Sequence, residues 1–165
     1  MINNHSESDL KRHYSDPEAI EEMRISASLF LTALTPAQRS ICMFSFDAES
    51  ERSFWHYTPV KRRGLPLKEM DQTQRKLAHD LLASGLSKKG LVNAQATIDH
   101  EKILDELEKR KNIVRFNRDS GLYFFSIFGN PSSNDRWSWR MEGHHLSLHF
   151  TIVNNSLLTT MPFFF

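Results

Sequence analysis

The hydrophobic pattern of this chain changes period near residue 111, and that change decides which folds are open to it. Before that point, apolar residues recur at helical spacing. Beyond it they alternate, or cluster in short segments rich in β-branched and aromatic residues. Helices followed by closely connected strands define an α+β fold, with N-terminal helices packed on an antiparallel β-meander sheet.

Ser15-Asp16-Pro17-Glu18 reads as a helix start, with a Ser cap, Glu three residues later and Pro in the first turn. The helix predicted from there carries Ile20, Met23, Ala27, Phe30, Leu31 and Leu34 on one face. Thr35-Pro36-Ala37-Gln38 repeats the logic and opens a short helix to about Met43, with Ile41 and Phe44 inward. Residues 45–67 read as irregular, broken by Pro59, Gly64 and Pro66 around the aromatic knot Phe54-Trp55-His56-Tyr57. A third helix is predicted over about 68–83, with Met70, Leu77, Leu81 and Leu82 inward. Ser87 caps a fourth, running to about Arg110 with Leu91, Ala94, Ile98, Ile103, Leu104 and Leu107 as its apolar positions. Strands are predicted over 112–117, 122–128, 137–142, 144–153 and 157–163. Tight turns are expected at Asp119-Ser120-Gly121 and Asn154-Asn155.

Residues 1–14 are expected to form a disordered leader, and 15–165 a single α+β domain. The sequence ends on Met161-Pro162-Phe163-Phe164-Phe165. Three exposed aromatic rings would be an aggregation hazard. The expectation is therefore a domain incomplete at its C-terminus, or a tail that associates with a partner. A net charge of +1 gives no bulk electrostatic case for nucleic acid or an anionic membrane, so neither partner is expected. One cysteine, Cys42, excludes an intrachain disulfide and fits a reducing compartment. The polar, acidic start lacks the pattern of a signal peptide, and no apolar run reaches the roughly 18 residues of a membrane helix. Cytoplasmic residence is the expectation.

Gly143-His144-His145-Leu146-Ser147-Leu148-His149-Phe150 puts three imidazoles within six residues of a predicted strand. Alternation assigns His145 and His149 to one face, with Ser147 between them, and His144 to the other with Leu146, Leu148 and Phe150. Neutral imidazole ligates transition metals and exchanges protons near neutral pH. His144, His145 and His149 are therefore candidate metal ligands, with a divalent transition metal as the implied cofactor. Strand twist or bending has to help His145 and His149 share one ion, and His144 needs a bulge to join them. The alternative is half-buried strand histidines bonded to their neighbours. His56 is a further candidate from a distant loop; its alternative is a surface histidine packed among aromatic rings. Ser147 lacks the Gly-x-Ser-x-Gly setting of an activated nucleophile.

In Arg136-Trp137-Ser138-Trp139-Arg140 the two tryptophans share one face and the two arginines the other. Arg140 is suited to hold a carboxylate or phosphate; the alternative is a Trp core face backed by a solvated Arg face. Lys61-Arg62-Arg63 reads as a solvated loop.

Several segments together resemble one known family. They are Leu34-Thr35-Pro36-Ala37-Gln38-Arg39, Arg52-Ser53-Phe54-Trp55-His56-Tyr57-Thr58-Pro59 and Arg63-Gly64-Leu65-Pro66-Leu67. Gln74-Arg75, Leu86-Ser87, Arg118-Asp119, Tyr123 and Phe128-Gly129-Asn130-Pro131 follow. Trp137-Ser138-Trp139-Arg140-Met141-Glu142-Gly143-His144-His145-Leu146-Ser147-Leu148 and Pro162-Phe163-Phe164 complete the set. From about residue 28 onward the chain is similar to the domain-of-unknown-function-3500 family. The resemblance implies longer relatives that continue past the Pro-Phe-Phe segment. It carries over His144 and His145, because the family usually has Asn at the position of His149. It implies no activity.

These readings lead to two expectations of different class. The first is an enzyme-like domain, metal- or histidine-dependent, acting on a small molecule, with His145 as ligand or acid–base residue and His56 and Arg140 lining the same pocket. The second is a non-catalytic module in which Trp137, Trp139 and the basic residues hold a ligand or partner.

Overall fold

The computed structural model describes residues 16–112, 116–132, 135–160 and 163–164, with side chains described as far as Ser156. The expected leader over 1–14, the centre of the predicted strand 112–117 and the side chains of the aromatic C-terminus lie outside the described residues.

The helical half forms as the caps predict. Helix α1 spans Pro17–Ala33 and is capped by the Asp16 side chain, which accepts from Ala19 N–H at 3.1 Å; Ser15, the expected cap, lies outside the described residues. Helix α2, Pro36–Cys42, opens with a full capping box between Thr35 and Gln38. A single turn, α3 (Glu49–Arg52), interrupts the irregular stretch. A 3-10 turn at Leu67–Glu69 leads into α4 (Gln72–Ser84), which carries a second capping box between Asp71 and Gln74. Ser87 caps α5, Lys88–Arg110. Ile41, Ile103 and Leu107, expected inward, are exposed. Cys42 takes the buried place in α2, and the inward face of α5 runs through Ala94, Ile98 and Glu101.

The sheet is mixed and mostly antiparallel. β3 (Phe124–Gly129), β4 (Trp137–Gly143), β5 (Leu146–Val153) and β6 (Ser156–Thr160) form the expected meander. Short strands extend it: β1 (Met43–Phe44) runs parallel to β3, β2 (Leu65–Pro66) antiparallel to β3, and β7 (Phe163–Phe164) pairs with β5. Asn112, Phe116 and Asn117 belong to no strand, contrary to expectation, and Asn112 has a left-handed backbone, φ 51°. Asn154 and Asn155 join β5 to β6 with φ of 50° and 57°, the two positive angles a type I′ hairpin turn needs.

One face of the sheet is apolar and lies under the helices. Phe125, Ile127, Trp137, Trp139, Met141, Leu148, Phe150 and Ile152 join Met23, Ala27, Phe30, Ala78, Leu81 and Ala94 in one core. Trp139 stacks on Phe150 with centroids 4.4 Å apart, and its indole N–H donates to Met23 Sδ at 3.3 Å. Each large side chain buried there contributes about 1.5–3 kcal/mol. The other face carries Ser126, Ser138, Arg140, Glu142, Ser147, His149 and Thr151, and the irregular segment 45–64 lies across it. The expected solvated Arg face is therefore corrected for Arg140, which is fully buried; Arg136, at the strand's start, is exposed. Among the described residues, no helix is long and apolar enough to cross a membrane.

Candidate functional site

His144 and His145 lie in the two-residue turn between β4 and β5, flanked by the Gly143–Leu146 pair, and not within a strand. Strand alternation therefore does not separate them, and their ring centroids are 3.9 Å apart. His145 has φ 57°, a left-handed conformation that costs a non-glycine residue roughly 1–2 kcal/mol. Surrounding bonds hold the turn. Arg62 Nη2 donates to Gly143 O at 3.0 Å, His145 N–H to Tyr57 O at 3.0 Å, and the Tyr123 hydroxyl to His144 O at 3.0 Å. Gly143 is required here: a Cβ would come within 2.3 Å of the Tyr123 ring.

From this turn the His144 ring meets a carboxylate of α5. Its Nδ1 hydrogen-bonds to Glu101 Oε1, and both residues are buried. An ionised carboxylate only accepts, so Nδ1 carries the hydrogen of this bond. Arg118 closes the cluster. Its Nη2 donates to Glu108 at 2.6 Å, and its Nη1 lies 3.7 Å from Glu101 Oε2 and 3.1 and 3.4 Å from His144 Nδ1 and Nε2. The hydrogen bond from Arg118 holds the Glu108 carboxyl below the usual range. Burial, with the Glu101 charge behind it, pushes the Tyr123 phenol upward, so Tyr123 stays a hydrogen-bond donor. His144, Glu101 and Tyr123 line a cavity of about 580 Å³ together with Lys61, Arg63 and Lys68. That volume is within the range of small-molecule sites. Glu101 also borders a second cavity of about 250 Å³, which His145 and His100 face.

Under segment 45–64, on the polar face of the sheet, lies a second charged group of residues. Arg140 Nη2 meets Glu51 Oε1 at 2.6 Å and Glu142 Oε1 at 2.9 Å, while its Nη1 donates to the carbonyls of Glu51 and Phe54 at 2.5 and 3.2 Å. Arg62 Nε lies 3.8 Å from Glu142 Oε2, and its Nη2 donates to His56 O and Thr58 O. Glu142 is fully buried and has no well-aligned hydrogen bond. Burial raises its pKa, opposed by the charges of Arg140 and Arg62. Arg140 thus binds segment 45–64 to β4 and lines neither cavity.

The remaining candidates are dispersed. His149 is paired with Ser138 Oγ at 3.2 Å and packs on Phe128; burial and the charges of Arg140 and Arg52 pull its pKa down to about 4. His145 is also shifted downward, by burial and then by the neighbouring His144. His56 Nδ1 pairs with Thr58 Oγ1 at 2.8 Å, and its ring stacks on Tyr57. The structure does not bring His145, His56 and Arg140 into one pocket, nor His149 to the His144–His145 pair. Among the described residues no three His, Cys, Asp or Glu side chains are grouped to hold a metal ion. Sequence reasoning missed Glu101 as the partner of His144. Its signal was position: Ala94, Ile98 and Glu101 share one helical face, which puts a carboxylate on the buried stripe.

The family model described as "Protein of unknown function (DUF3500)" matches residues 16–165, starting further upstream than the resemblance at about residue 28 implied. No curated protein and no solved structure matches the chain. The family match takes in the His144–His145 turn, its partners Glu101, Arg118 and Tyr123, and the buried arginines, and the chain belongs to the DUF3500 family.

Proposed function

We propose that this chain is a histidine-dependent enzyme domain that acts on a small molecule held in the 580 Å³ cavity, with His144 as the acid–base group. One observation carries the reading: an imidazole faces a ligand-sized cavity while a buried carboxylate, Glu101, takes its Nδ1 proton. That pairing fixes the ring and its tautomer, so Nε2 is the nitrogen that takes a proton from a bound molecule and returns it. Arg118 and Tyr123 are positioning residues. The first holds Glu101 and Glu108; the second holds the turn through its bond to His144 O. Cytoplasmic residence belongs to the same proposal, supported by a single cysteine, Cys42, present as a free thiol.

The test is a turnover screen with chromogenic esters, phosphates and glycosides, followed by His144→Gln and Glu101→Gln. Turnover is expected to fall by about 10²–10⁴-fold in His144→Gln and by a smaller factor in Glu101→Gln, with unfolding midpoints retained. Wild-type turnover in His144→Gln would remove His144 from the chemistry.

A further inference from the structure

The run Lys61-Arg62-Arg63, expected as a solvated loop, is divided by the fold. Arg62 is buried, while Lys61 and Arg63 on either side of it are exposed. Arg62 donates to the carbonyls of His56, Thr58, Val60 and Gly143 and lies beside the Glu142 carboxylate. Those bonds fix the segment, and both flanking cations border the 580 Å³ cavity. Lys68, from the 3-10 turn, borders it as well. All three are short of partners. Among the described residues, neither Lys61 nor Lys68 has a side-chain hydrogen bond or ion pair. Arg63 Nη1 lies 3.6 Å from Glu51 Oε2, too far for a hydrogen bond, and Arg140 takes Glu51 Oε1 at 2.6 Å. Three carboxylates also border the cavity. Glu101 is answered by His144 and Arg118. Asp119 Oδ1 accepts from Gly121 N–H at 2.8 Å, within its own turn. The three open cations outnumber Asp119 and Glu69, the carboxylates left to meet them.

We propose, resting on the reading that this cavity holds the substrate, that the substrate is an anion whose phosphate or carboxylate group is bound by Lys61, Arg63 and Lys68. A guanidinium and two ammonium groups without partners offer charge-assisted hydrogen bonds to either group, whose shared chemistry is a set of negatively charged oxygens. A neutral molecule would leave the excess positive charge of the cavity unanswered. Ile41, Val60, Leu122 and Phe124 add apolar lining, which suits an apolar body behind the anionic group. Because Arg62 holds the cationic segment before any ligand arrives, the ordering cost of binding falls.

The test is calorimetric titration of the full chain at low ionic strength with phenylphosphonate, benzoate and benzyl alcohol. The three probes share a benzene ring and differ in charge, and the phosphonate has no ester bond to cleave. At least one anion is expected to bind with a dissociation constant of about 1 mM or below, and the alcohol at least about tenfold more weakly. The phosphonate and benzoate arms tell a phosphate ligand from a carboxylate. The double variant Lys61→Gln, Arg63→Gln is expected to weaken the bound anion about tenfold without lowering the unfolding midpoint. The control Lys88→Gln, Lys89→Gln removes the same charge outside the cavity lining and is expected to leave affinity unchanged. Binding of neither anion, equal binding of the alcohol, an equal loss in the control, or full affinity in a folded Lys61→Gln, Arg63→Gln chain overturns the proposal. Anion binding without His144-dependent turnover upholds the charge of the ligand and removes the acid–base reading. His144-dependent turnover of neutral esters or glycosides, with neither anion bound, does the reverse.

Discussion

Replacing Gly143 by Ala tests how the turn is held. An ideal Cβ at this position lies 2.3, 2.5 and 2.8 Å from Cδ1, Cε1 and Cγ of Tyr123, whereas carbon atoms in contact sit about 3.5–4.0 Å apart. The ring or the strand must therefore yield by about 1 Å or more. Tyr123 is almost fully buried, and its hydroxyl bonds to His144 O at 3.0 Å and Thr97 O at 3.4 Å, so the ring retreats only by losing those bonds. Overpacking costs about 1–3 kcal/mol and the lost hydrogen bond about 1 kcal/mol more. At a urea slope of about 2 kcal/mol/M, a 3 kcal/mol loss lowers the midpoint by ~1.5 M. The decisive assay is a double-mutant cycle in urea. In a Tyr123→Ala background all three obstructing atoms, Cγ, Cδ1 and Cε1, are gone, and Gly143→Ala is expected to cost less than about 1 kcal/mol there. An equal penalty in both backgrounds, or a wild-type midpoint for Gly143→Ala, refutes the steric argument.

Two further perturbations probe the buried polar face. The pKa of His149, at about 4, lies below its ordinary 6.5, so between those values the unfolded chain binds more protons than the folded one and stability falls as pH falls. The stability difference between wild type and His149→Gln is expected to drop by about 3 kcal/mol from pH 7 to pH 4, measured by urea unfolding across that range; an unchanged difference contradicts the assignment. Glu142 is shifted upward, so its contribution has the opposite sign, diminishing as pH rises above the ordinary 4.5, and it cancels in that comparison. Glu142→Leu strands the guanidinium of Arg62 and removes one of two carboxylates from Arg140, for an expected loss of about 3–5 kcal/mol. Pairing it with Arg62→Met is expected to recover part of that loss, and additive losses in calorimetry argue against a coupled network.

The helical layer was legible because its ends carry caps: the Thr35–Gln38 box and Ser87 act where their spacing put them. The meander was legible for a similar reason, since Asn154-Asn155 is turn chemistry. His144-His145 carries no such signal, so a strand reading runs straight through it. The turn exists because Arg62, Tyr57 and Tyr123 hold it from residues far away in sequence. Alternation correctly separated Trp139 from Arg140 but could not say what covers the arginine, because segment 45–64 has no apolar period to read. Ile103 and Leu107 keep helical spacing yet stay exposed; spacing defines a stripe, and tertiary packing decides how much of it finds a partner. His144 was legible as a candidate, while its partner Glu101 was visible only as a carboxylate at a core position.

The segment that crosses the polar face of the sheet has consequences for how the chain finds a single arrangement. Greasy contacts are tolerant, and a coil without periodic apolar residues could settle on an apolar sheet in many ways. Here a slip of one residue would separate Arg62 from Glu142 and Glu51 from Arg140, leaving charges in a dry interior with nothing to answer them. The crossing works like the wards of a lock, in which the wrong position is ruled out more firmly than the right one is rewarded.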